Sequence, residues 1–318
     1  MAYRIKIASR LDKDIRRLLG SQIGRAIGCL SGVLEEGGSS IHATRKCLKR
    51  CRSILRLAKP SLAAKDFRAH DRSFRDIARL LSHDRDREVM ADTLALLASK
   101  AIGDEKSALA AGLSDLDTHQ QNGTAVLSDG DNIALAVSRL QDCDHAVRQL
   151  RFHRTRRFAL ADGFRETYAE ARRALRKAYR AGDDESFHDF RKALQHHWRQ
   201  CQLLSPVWPE IMNVRIAAAH ELSQMIGTDH DLSLVAARFA DPARSSLDEA
   251  TRTAICTAAR AEQSRIRQDA EPLARRLFAV KPRDMERMVV ALWPAAIRLA
   301  KHRRKEGAPE RTPDEAVH

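Results

Sequence analysis

One short element occurs twice in this chain and limits its fold more than any other feature. Ile41-His42-Ala43-Thr44-Arg45-Lys46-Cys47-Leu48-Lys49 returns as Phe187-His188-Asp189-Phe190-Arg191-Lys192-Ala193-Leu194-Gln195, and His42 to His188 is an offset of 146 residues. A second pair keeps almost the same offset. Leu81-Ser82-His83-Asp84-Arg85-Asp86 is matched by Met225-Ile226-Gly227-Thr228-Asp229-His230-Asp231 with one residue of slippage, so Asp86 and Asp231 are 145 apart. Two separated matches at one spacing indicate a duplicated supersecondary unit. The chain is expected to be two copies of a helical bundle, joined near residue 150.

Each copy reads as helix. Only 14 Gly and 9 Pro occur in 318 residues and aromatics are 5%. Ala, Leu, Arg and Glu fill long runs in which apolar residues recur at three and four. Helices are expected at 8–35, 39–58, 62–81, 85–100, 104–120, 131–158, 162–181, 185–204, 210–226, 230–239, 246–278 and 284–303, with Gly- and Pro-containing breaks between them. The expected class is all-α: two pseudo-symmetric four-helix bundles with accessory helices, forming one domain over 1–305. Its halves are set at about 8–120 and 131–303, and the polar tail 306–318 is expected to be disordered.

Apolar residues make up 43% of the chain, enough for a core, while 56 Lys and Arg against 42 Asp and Glu leave a formal charge of +14. That balance favours acidic partners: nucleic acid, anionic lipid or a phosphate polymer. The start, MAYRIKIASRLDKD, has no apolar targeting core, and no run approaches 18 apolar residues. A soluble, cytoplasmic protein without membrane contact is expected. The six cysteines are scattered with no CxxC spacing, so Cys47 and Cys51 read as small buried hydrophobes rather than metal ligands. No metal or cofactor is expected.

On a helical wheel, His42, Arg45, Lys46, Lys49, Arg50, Arg52 and Arg56 share one arc, and Ile41, Thr44, Cys47, Leu48, Cys51, Ile54, Leu55 and Ala58 fill the other. Between Ile41 and Lys59 there are seven Lys and Arg and no acid. Solvated helices usually interleave both signs to gain i, i+4 pairs. The counter-charge must therefore come from a ligand or an acidic neighbouring helix. In the second copy His188, Arg191, Lys192, Gln195, His196 and Arg199 share the matching arc, while His197 falls among the apolar residues as a core histidine. His196 would gain charge near pH 6, and the second half should bind an anion less strongly than the first. A third basic stretch, Arg151 to Arg180, holds ten Lys and Arg against three acids, with Arg165, Tyr168, Arg172, Arg176 and Tyr179 at helical spacing. Rows of Arg and Lys on a rigid helix suit a flexible chain of phosphates. Single-stranded nucleic acid would call for stacking aromatics beside the charge, and the face from His42 to Arg56 has none.

These residues resemble the CHAD family, the conserved-histidine α-helical domain. Its hallmark is a His followed by Arg three residues on and further bases, a pattern matched by His42-Ala43-Thr44-Arg45 and His188-Asp189-Phe190-Arg191-Lys192. Its later elements look like Arg85-Asp86 and His230-Asp231, and Gly163-Phe164 with Tyr168, Arg172 and Arg173 resembles the opening helix of its second half. The resemblance runs from about residue 8 to 278 and implies binding of inorganic polyphosphate, often at polyphosphate granules, through these residues together with Arg165. Some relatives carry an adjoining triphosphate-tunnel hydrolase domain, whose ExExK strand is absent, so the binding domain alone is expected. Two rivals stay open: a module for nucleic-acid backbones, and a metal phosphohydrolase built on His230-Asp231. The second is disfavoured because the first copy has Arg85 in place of that histidine, and arginine does not ligate cations.

Overall fold

The computed structural model describes residues 3–34, 39–81, 85–118, 129–156 and 158–305, so the tail at 306–318 and the expected break at Gly37-Gly38 lie outside the described residues. Among the described residues there are eleven α-helices and no strand. They are α1 (Leu11–Leu30), α2 (Ser40–Ala58), α3 (Ala64–Leu80), α4 (Arg85–Lys100), α5 (Gly103–Thr118), α6 (Asp129–Arg148), α7 (Ala159–Ala181), α8 (Asp184–Leu204), α9 (Pro209–Ala240), α10 (Glu249–Leu277) and α11 (Pro282–Lys305).

Local chemistry sets many of the boundaries. The Ser39 hydroxyl accepts from the His42 N–H at 3.2 Å, and the Asp183 carboxylate from the Ser186 N–H at 2.7 Å, so both duplicated helices start on a side-chain cap. Gly182, at φ 73°, ends α7 in the left-handed conformation that glycine adopts without strain. Pro209 and Pro282 open α9 and α11, where a missing N–H costs nothing.

Two expectations fail. The helices read at 210–226 and 230–239 are one 32-residue helix, α9, with Gly227 in its interior. A mid-helix glycine costs only about 1 kcal/mol. Leu222, Ile226, Leu232, Val235 and Phe239 stay buried on both sides of it, and each is worth about 1.5–3 kcal/mol. His230-Asp231 therefore lies inside a helix and is not a helix start. The helix expected at 131–158 also stops early, at Arg148.

α1 and α3 both pack on α2 and α6, which makes one four-helix group. In the second half α7 packs on α8, α8 on α9, and α9 on α10. Helices α4 and α5 leave the first group: they lie against α9 and α10 around a separate core holding Leu94, Leu109, Val235, Phe239 and Ile255. Both helices fall within the span 8–120 read as the first half, and they pack against the second. The main core runs through both halves, from Ile15 and Leu19 to Phe164, Phe190 and Trp293. α2 touches both α7 and α8, so the first basic helix stands at the junction. There a Cβ on Gly163 would fall 2.0 Å from the Leu57 carbonyl oxygen, so only glycine allows α7 this close to α2. No described helix is long and apolar enough to cross a membrane.

Candidate functional site

Helix α2 divides as its wheel predicts. Thr44, Cys47, Leu48, Cys51, Ile54, Leu55 and Ala58 are buried and Ile41 is partly so. His42 and Lys46 are exposed, while Arg45, Lys49, Arg50, Arg52 and Arg56 are half-buried. Counter-charge from neighbouring helices reaches the C-terminal turns. Arg52 makes a two-pronged pair with Asp71 of α3 at 2.8 and 3.2 Å, Arg56 meets Glu170 of α7 at 2.9 Å, and Lys59 meets Glu166 at 3.1 Å. Nearer the N-terminus, Arg45 and Arg50 also meet neutral groups. Arg45 Nη1 donates to the Ala78 and Leu81 carbonyls at 2.7 and 3.1 Å, closing the end of α3. The Arg50 guanidinium lies 5.0 Å from the Tyr3 ring centroid and reaches the Gln22 amide oxygen at 3.5 Å.

On α8 the duplicated histidine meets the later element directly. The rings of His188 and His230 stack with centroids 4.4 Å apart and planes at 29°. Burial, then Arg191, His188 and Lys192, push the His230 pKa down to about 4, and burial with Lys192 and Arg191 lowers that of His188. Both rings are thereby held toward the neutral form, with Asp189 and Asp184 opposing. Arg191 lies against Gly227, where an added Cβ would come 3.6 Å from its Nη2. Lys192 is exposed and holds Asp189 at 3.3 Å.

Arg267 and Asp184, which lie outside the duplicated elements, fix this pair in place together with Asp229. Arg267 of α10 donates to Asp229 and to Asp184, each at 2.6 Å, and stands 4.1 Å from the Phe187 ring centroid. It ties the start of α8 to the turn of α9 that carries His230. The signal that could have found them is an acid flanking each second-copy motif, Asp184 and Asp229, opposite a basic stretch of α10.

Other expected site residues lie elsewhere. His196 is buried where α8 crosses α2, with Nδ1 2.9 Å from the Ser53 hydroxyl. Burial and the nearby Arg56, Arg199 and Arg52 hold its pKa well below the ordinary histidine value, so the expected charging near pH 6 is wrong. Tyr168 is fully buried and its hydroxyl donates to the Val280 carbonyl at 2.9 Å, which makes it a core residue. Arg172 Nε donates to the Phe278 carbonyl at 2.9 Å, and Arg165 pairs with Glu286 at 2.8 Å, so both face the α10–α11 connection. Arg173 is exposed on α7. Arg85 begins α4, but its side chain is outside the described residues. His197 is a core residue as expected, stacked 5.2 Å from Phe164.

Arg199 is buried too, yet it remains near the basic face. Nη1 donates to the Gln195 carbonyl at 2.9 Å. Burial, with Arg50 and Arg191 close by and Tyr3 opposing, draws its pKa down to about 10. Among the described residues its guanidinium has no carboxylate partner.

The neutral histidines give a pH prediction. Their folded pKa values are depressed, so their stabilising contribution is complete above the unfolded value of about 6.5 and is lost as pH falls toward the folded values. The urea midpoint should fall steadily from pH 7 to pH 4.5, and His196→Gln should flatten that fall. A midpoint constant across this window would refute the assignment of neutral buried histidines.

A family model for the CHAD domain matches residues 17–240, which is most of α1 and the whole of α2 to α9. No curated protein matches the chain. The matched span, which covers more than half of the chain and holds both His-x-x-Arg helices, establishes that this chain belongs to the CHAD family.

Proposed function

We propose that this protein binds inorganic polyphosphate without chemical turnover, along the basic faces of α2 and α8. The observation that carries the reading is Arg199: a buried guanidinium beside Arg50 and Arg191, bonded among the described residues only to oxygens of Gln195 and lying 5.5 Å from the Trp198 ring centroid. A buried cation without an anion is costly, and a polyanion supplied from outside would remove that cost. His42, Arg45, Lys46, Lys49 and Arg50 extend the track on one helix, and His188, Arg191 and Lys192 on the other. Such binding would place the protein on polyphosphate granules.

The contacts between the two helices support the duplication. Adding 146 to Ser53 and Arg50 gives Arg199 and His196, so the Ser53–His196 contact and the Arg50–Arg199 approach exchange between copies. Arg45 against Leu81 and Arg191 against Gly227 repeat the same offset.

Nucleic acid fits less well. Of the aromatics beside the face, Tyr3 already lies against Arg50 at 5.0 Å and Trp198 already stacks on His220 at 4.8 Å. A metal hydrolase also fits poorly, because Arg191 and Lys192 crowd His230 with positive charge and would repel a divalent cation.

Labelled polyphosphate of defined length should bind the full chain, and tRNA or duplex DNA in excess, counted as phosphate, should leave most of it bound. Ready displacement would make nucleic acid the ligand. Incubation with Mg²⁺ or Mn²⁺ should release no orthophosphate. Metal-dependent release abolished by His230→Ala would establish a hydrolase instead.

A further inference from the structure

A second basic feature stands apart from the duplicated helices. Arg172, Arg176 and Arg180 recur every four residues on α7 and line a cleft of about 380 Å³ against the C-terminal end of α10, which contributes Arg275. That volume lies within the roughly 300–1,000 Å³ of small-molecule sites. None of its lining residues belongs to α2, α8 or α9.

The four guanidinium groups differ in what they already hold. Arg172 is spent on the Phe278 and Ala279 carbonyls at 2.9 and 3.4 Å, which fixes the far wall. Arg275 is bound to Glu271, one turn earlier on α10. Arg176 and Arg180 are exposed and make no ion pair among the described residues. Two uncommitted arginines one turn apart, about 6 Å along the helix, therefore stand at the cleft.

Beneath this charge the floor is apolar and stiff. Leu175 and Phe278 are buried at its base. Tyr179 is held by its hydroxyl on the Arg267 carbonyl at 2.8 Å and by an edge contact to Phe187 at 5.1 Å. A bare phosphate chain would leave that floor unused. A flat heterocycle would cover it, and guanidinium planes stack well on such rings.

We propose that this cleft binds a nucleoside di- or triphosphate, with the phosphates on Arg176 and Arg180 and the base over the floor formed by Leu175, Tyr179 and Phe278. The proposal is independent of polyphosphate binding on α2 and α8.

Calorimetric titration of the full chain with ATP, and in parallel with tripolyphosphate, tests it. ATP should bind at one site per chain and more tightly than tripolyphosphate. Arg176→Glu with Arg180→Glu should weaken ATP by about tenfold or more, two charge reversals at exposed contacts. The same variant should keep its circular dichroism and its affinity for long polyphosphate. The proposal is overturned by no ATP binding at millimolar concentration, by equal affinity for tripolyphosphate, or by ATP affinity that survives the double reversal. Parallel loss of long-chain polyphosphate binding would also overturn it, because the cleft would then belong to the polymer's track.

Discussion

Gly163→Ala should be among the most damaging single-methyl additions in this protein, lowering stability by about 3 kcal/mol or more, at or beyond the usual upper end for overpacking. The added Cβ would sit 2.0 Å from the Leu57 carbonyl oxygen, 2.7 Å from its carbon and 3.1 Å from its Cα. Every one of those atoms is backbone, so no side chain can rotate to relieve the clash. α7 would have to withdraw from α2, opening the packing of Phe164 and Ala161 along the junction. Gly24→Ala is the matched control. Its Cβ would meet nothing within 4 Å inside α1, so it should stabilise by up to about 1 kcal/mol through helix propensity. Urea unfolding of the two variants beside the parent measures both. A Gly163→Ala midpoint close to that of the parent would mean that the helices do not cross as described.

What the sequence disclosed and what it hid follow one physical line. The arcs of α2 were legible because a surface helix writes its buried side into its own periodicity. The hallmark histidines were legible because the duplication names them. Features decided by a distant neighbour were not. On the wheel His196 lies at the edge of the polar arc, and only the crossing of α2 over α8 puts it against Ser53. Tyr168, Arg172 and Arg165 have the spacing of a shared face, yet that face turns to carbonyls near residue 279 and to Glu286, more than a hundred residues away. Gly227 reads as a break in isolation and is overruled by the apolar residues flanking it. The departure of α4 and α5 toward α9 and α10 left no local mark, since either core would bury Leu94 and Leu109 equally well.

These placements decide which charges test the binding reading cleanly. Arg45 closes α3 and Arg52 is bound to Asp71, so reversing either one disturbs the fold as well as the face. A glutamate at residue 52 would stand against Asp71 itself. Lys46 and Lys192 are exposed, Lys192 in a surface pair with Asp189 that contributes little to stability, and Lys49 is half-buried on the polar arc, away from the apolar residues of α2 and α8. Lys46→Glu, Lys49→Glu and Lys192→Glu together should therefore leave helicity and the urea midpoint close to those of the parent. An exposed lysine–phosphate pair is worth about 0.2–1 kcal/mol, and the added repulsion is of similar size. The triple variant should then lose about 3 kcal/mol of binding, roughly a hundredfold in affinity for long polyphosphate. Its salt dependence should also be shallower, by about two to three in the slope of log K against log salt, since three cations no longer release counterions. Lowering the pH from 8 to 6 should recruit nothing from His196, which stays neutral and buried. Undiminished affinity in a triple variant that folds normally would remove α2 and α8 as the binding surface.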